Sequence, residues 1–99
     1  MPKYSFDDIK DKMSGMTQVG REPEMTLCIY GKEYMIIGYS DHCSFQRCGV
    51  KDGSGEFDYR TLDDLYNQET VDKILLSKGW DDIEDFECLD FELFYDMVF

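Results

Sequence analysis

From Trp80 to the C-terminus the chain has no lysine and no arginine. Binding to phosphate backbones or anionic lipid rewards exactly those residues, so direct contact with DNA, RNA or a membrane surface is disfavoured. No apolar run approaches the roughly 20 residues that span a bilayer. The start, MPKYSFDDIKDKM, has no apolar stretch leading to a small-residue cleavage site, so a cytoplasmic protein is expected. There is one histidine, and no C-x-x-C pair, glycine-rich phosphate loop or internal repeat. The usual zinc, redox and nucleotide-binding signatures are therefore missing. In a reducing compartment the four cysteines are expected to be free thiols.

What is present is acid and aromatic. Net charge is −12. Residues 1–55 hold eight acids against seven bases, and residues 56–99 hold fourteen acids against three. A cationic partner is favoured, and its approach would be steered by the field. Solubility alone asks for a net charge of magnitude about 2–8 in a small domain, and excess like charge opposes folding. Fifteen aromatic residues can still fill a core, so a single folded domain over 1–99 is expected rather than a disordered acidic tail.

The local patterns predict an α+β fold: an antiparallel sheet of about four to five strands with two to three helices packed on one face. Ser5 is a helix N-cap with acids behind it, and Phe6, Ile9 and Met13 fall at helical spacing. MTLCIY and EYMIIGY read as a hairpin about a Gly31-Lys32 turn. A third strand is expected around Cys43–Val50, a turn at 51–55 and a short strand at Glu56–Tyr59. Thr61-Leu-Asp-Asp64 opens a second helix, and Glu69–Ser77 reads as a further helix or helical turn with Val71, Ile74 and Leu75 inward. From Leu89 apolar residues occupy every odd position, which is strand period, although Phe91, Phe94, Tyr95 and Val98 also share a helical face. The strand is preferred, with Asp90, Glu92 and Asp96 outward.

Three chemistries compete. His42, Cys43 and Cys48 could serve a metal-binding module, but their spacing is not that of a tetrahedral zinc site. A Cys-His nucleophile would need side chains that meet, and adjacent residues in a strand diverge. Asp81, Asp82, Glu84 and Asp85 lack the calcium-loop register. Neither an enzyme nor a cofactor is expected. The remaining reading is a surface: Asp63, Asp64, Asp81, Asp82, Glu84, Asp85, Glu87, Asp90 and Glu92 as carboxylates, with Trp80 and Tyr95 as anchors. Rows of carboxylates can stand in for phosphates on a basic groove. The rivals are a solvated acidic face and a self-associating protein, whose acids would repel across a paired edge. Monomer and homodimer both remain open.

YGKEYMIIGY, FDYRTLDDLYN and GWDDIEDFE together resemble small acidic proteins of bacterial phages and mobile elements, over roughly residues 26–87. The resemblance implies a bacterial host and an inhibitor of the anti-CRISPR type. Such an inhibitor is a nucleic-acid mimic whose partner is a basic, nucleic-acid-binding nuclease. The 40–48 cysteine-histidine segment and the long acidic-aromatic tail depart from that pattern.

Overall fold

The hairpin forms where two residues can adopt positive φ together. In the computed structural model, which describes residues 2–50 and 55–98, these are Tyr30 (φ 52°) and Gly31 (φ 75°). Strand β1 (Glu24–Ile29) and strand β2 (Lys32–Gly38) close on the pair Ile29–Lys32. The loop is therefore Tyr30-Gly31 rather than Gly31-Lys32, and two positive φ values make it a type I′ turn. The Tyr30 hydroxyl donates to the Asp82 carboxylate at 2.9 Å, which helps hold a tyrosine in a conformation that favours glycine.

Strands β3 (Cys43–Arg47), β4 (Glu56–Tyr59) and β5 (Ile83–Glu87) complete a five-stranded sheet in the order β4-β3-β2-β1-β5. All neighbours are antiparallel. The expected α+β fold is what forms. Of the expected turn at 51–55, residues 51–54 lie outside the described residues.

Helix α1 (Phe6–Gln18) starts with a full capping box: Ser5 Oγ accepts from Asp8 N–H and Asp8 Oδ2 accepts from Ser5 N–H. Its Phe6, Ile9, Met13 and Met16 are buried against Met25, Leu27, Tyr34 and Ile36 of the sheet. Helix α2 (Leu62–Asn67) is capped by Thr61, whose side chain accepts from Asp64 N–H.

Of the helix or helical turn expected over Glu69–Ser77, the turn forms and a continuous helix does not. A single 3-10 turn covers Val71–Lys73, and helix α3 (Leu76–Gly79) follows. The break falls at Asp72 and Lys73, with φ 58° and 63°. Asp72 turns out of the helical path to meet two groups of the sheet. The Tyr34 hydroxyl donates to it at 2.7 Å, and the Arg47 guanidinium lies at 3.1 Å. Val71 and Ile74 are buried as expected, because residues three apart can share a face with or without an intact helix, whereas Leu75 is only half-buried and Leu76 takes the inward place.

The tail also departs from its expected form. Leu89–Tyr95 is a helix, α4, closed by Asp96 in the left-handed region (φ 55°). Phe91 is fully buried and Tyr95 lies against α1, its hydroxyl donating to Lys12 O at 2.9 Å. A side chain on Gly15 would collide with that hydroxyl, so the glycine creates the seat for α4.

Candidate interaction surface

Cross-strand partners share a face, so the register sorts every strand residue. One face carries Met25, Leu27, Ile29, Tyr34, Ile36, Cys43, Phe45, Ile83 and Phe86, and the core sits on it. The opposite face carries Glu24, Thr26, Cys28, Glu33, Met35, Ile37, Ser44, Gln46, Glu56, Asp58, Asp85 and Glu87; Ile37 and Ser44 are buried, and its acids are exposed. No lysine or arginine is among the paired residues of that second face. The cationic strand residues, Lys32 and Arg47, pair with Ile29 and Tyr34 on the core side.

A bulge adds one more acid. Between Cys28 and Ile29 the register with β5 slips, so Ile83 and Phe86 both point inward with Glu84 and Asp85 exposed between them. Glu84 Oε2 lies 3.8 Å from Cys28 Sγ. All seven strand carboxylates therefore stand on the open face. They gather towards its two edges, Glu56 and Asp58 on β4 and Glu84, Asp85 and Glu87 on β5, with Glu24 and Glu33 at opposite ends of the hairpin. The edge strands are four strand spacings apart, about 19 Å. Along each edge, alternate carboxylates repeat at about 6.8 Å.

The ladder limits the repulsion this creates. Each acid paired in register faces a neutral residue: Glu33 and Asp85 face Cys28, Glu87 faces Thr26, Glu24 faces Ile37, Glu56 faces Gln46 and Asp58 faces Ser44. No two carboxylates are directly opposed, the arrangement that would destabilise the sheet most. Burial and then the neighbouring Glu84, Glu33 and Asp85 push the Cys28 thiol up from its usual range. The acids on β5 also guard an open edge against strand addition by a second copy.

The residues expected from sequence divide into groups. Glu84, Asp85 and Glu87 lie on the open face. Asp90 adjoins it, with Oδ2 accepting from Glu24 N–H at 3.4 Å. Glu92 is exposed on α4. Asp63 is drawn into an ion pair with Lys10 at 3.1 Å, and Asp64 is half-buried at the start of α2, both in the helical layer. Asp82 receives the Tyr30 hydroxyl, and Asp81 lines a cleft with Ser5, Asp7 and Lys78.

Of the two expected anchors, Trp80 is buried and Tyr95 half-buried. Trp80 is 7% exposed, sits edge-on to Phe6 at 5.4 Å and donates from Nε1 to Tyr4 O at 3.1 Å. Tyr95 is half-buried between α1 and α4, with Lys12 Nζ 4.9 Å from its ring. Sequence reasoning missed Glu24, Glu33, Glu56 and Asp58. Each stands beside an apolar or aromatic residue (Met25, Tyr34, Phe57 and Tyr59), a period-two pattern legible in the strands expected from sequence.

The cysteine-histidine segment separates. His42 stacks on Tyr39 at 4.4 Å and bonds Asp41 through Nδ1 at 2.6 Å, which raises its pKa. Cys43 turns to the core face, where burial pushes its thiol up to about 12, and Cys48 lies beyond the end of β3. Among the described residues no three His, Cys, Asp or Glu side chains are grouped to hold a metal. Among the described residues, too, no helix is long and apolar enough to cross a membrane.

Comparison with protein-family models, curated proteins and solved structures finds no match for this chain.

Proposed function

We propose that the chain is a non-enzymatic interaction module whose open sheet face docks on a lysine- and arginine-lined surface. The surface in question is one that otherwise holds nucleic acid, and a nuclease is the partner class this reading names. The observation that carries it is the sorting of charge by face. Seven strand carboxylates stand on one side, and no base accompanies them among the paired residues. Rows of carboxylates along two edges offer a cationic groove fixed negative charge, as a nucleic-acid backbone does. The resemblance to small acidic phage proteins agrees with an inhibitor of this kind acting inside a bacterial host.

The test is competition. Labelled nucleic acid is bound to a panel of nucleases, RNA-guided ones included, and this protein is added over a range of salt concentrations. Displacement of the nucleic acid that weakens steeply as salt rises is expected. The quadruple variant E56K/D58K/D85K/E87K, altered only at exposed positions, is expected to lose it. Undiminished inhibition by that variant would show that the face is not the mimic. Failure to inhibit any member of the panel would remove the nuclease as partner.

A further inference from the structure

Helix α4 buries one side and leaves an apolar ridge on the other. Phe91 and Tyr95, one turn apart, face α1 and the core. Leu89 and Leu93, also one turn apart, project from the opposite side and are 64% and 76% exposed. Helical geometry places Asp90 on one flank of this ridge and Glu92 on the other. Phe94, 44% exposed, lies beyond Asp90, and the Arg21 guanidinium rests 5.2 Å from its ring centroid. An apolar strip rimmed by acids on a structured helix is the kind of surface that marks an interaction site.

The acids decide what covers it. A second copy would bring Asp90 and Glu92 against their own kind in a chain of net charge −12. A partner with apolar residues flanked by lysine or arginine satisfies both parts of the surface, and Arg21 on Phe94 already shows a cation seated there. We infer that the Leu89–Leu93 ridge docks an amphipathic basic segment of a partner protein, placing leucine-like side chains on the ridge and cations on Asp90 and Glu92. The site adjoins the acidic sheet face through the Asp90–Glu24 contact. The inference rests on the reading that the partner is basic, and it adds an apolar contact which charge alone does not require.

Two synthetic peptides of equal length and charge test it. One carries leucines at helical spacing among arginines, and the other replaces those leucines by serine. The leucine peptide is expected to bind about ten-fold more tightly, since burying even part of two leucine side chains outweighs the ordering cost. L89S/L93S is expected to abolish that preference while leaving the serine peptide's affinity unchanged. Circular dichroism confirms that the variant keeps α4, because neither leucine contributes to the core.

Equal affinity for the two peptides, or a preference that survives L89S/L93S, would overturn the inference. So would a dimer in sedimentation velocity that L89S/L93S dissolves, since the occupant would then be a second copy. If neither peptide binds at low salt, the basic-partner reading itself falls. If the serine peptide binds and the leucine preference is missing, only the ridge falls.

Discussion

Replacing Gly15 by alanine puts two known effects in opposition at a single atom. In a helix interior alanine is favoured over glycine by about 1 kcal/mol. In this chain the new methyl group would meet the Tyr95 hydroxyl, and the ring's Cζ lies 3.7 Å from the same point. The hydroxyl must move, which breaks its hydrogen bond to Lys12 O, a contribution of about 1 kcal/mol. Tilting the ring from its rotamer costs about another 1 kcal/mol. G15A is therefore expected to destabilise the wild type by about 1 kcal/mol, the two losses less the propensity gain, a fall of about 5 °C in Tm.

Y95F removes the obstacle and loses only the hydrogen bond. In the Y95F background the alanine meets the ring at ordinary contact distance, so G15A should stabilise by about 1 kcal/mol. The sign of the substitution thus reverses, and the coupling energy is about 2 kcal/mol. Urea unfolding followed by the fluorescence of Trp80, the sole tryptophan and a buried one, reads all four proteins. Equal stabilisation by G15A in both backgrounds would refute the reasoning, because Tyr95 would then not rest on Gly15 and α4 would lie elsewhere.

Three further outcomes follow from the same structure. F91A is expected to cost about 3–5 kcal/mol, while L93A, also apolar and on the same helix, stays within about 0.5 kcal/mol; equal costs in urea titration would favour an extended tail. The Tyr34 hydroxyl, and with it Arg47, holds the Asp72 carboxyl below its usual value of 3.8, so its contribution is present above that pH and is lost as pH falls through the lower folded value. The stability difference between wild type and D72N should accordingly narrow below about pH 4, and a gap unchanged down to strongly acid pH would contradict the contact. His42 should titrate above 6.5 because its bond to Asp41 favours the charged ring. That contribution is full below 6.5 and fades as pH rises through the raised value, and NMR titration should show D41N lowering it.

Neither an extended tail nor a continuous helix over Glu69–Ser77 forms, and one physical cause underlies both. Phe91 and Tyr95 are four apart, and four is both an even number and about one helical turn. They point the same way in a strand and in a helix, so periodicity could not choose. Val71 and Ile74 are equally uninformative about whether the backbone between them is helical. By contrast, the caps at Ser5 and Thr61 and the alternation in β1 and β2 act within a few residues, and those helix starts and strands form, with the turn shifted by one residue to Tyr30-Gly31.

The candidate site divides along the same line. That Glu24, Glu33, Glu56 and Asp58 each stand beside an apolar or aromatic residue is a local property, readable from period two in the expected strands. That they share a face with Glu84, Asp85 and Glu87 depends on β5 pairing with β1 across more than fifty residues, and on the bulge that turns both Glu84 and Asp85 outward. No local rule contains that pairing.

The sequence by itself determined the α+β composition, the hairpin, the capped helix starts and an excess of acid without bases after Trp80. Each follows from propensities and charges that need no distant partner. Tertiary structure alone decided that the tail is a helix, because only α1 supplies Gly15 and Lys12 O to receive Tyr95. It alone decided that Trp80 is core rather than anchor, because Phe6 and Tyr4 enclose it from the other end of the chain. And it alone gathered the strand acids onto one face, because register, not composition, sets which side of a sheet a carboxylate occupies.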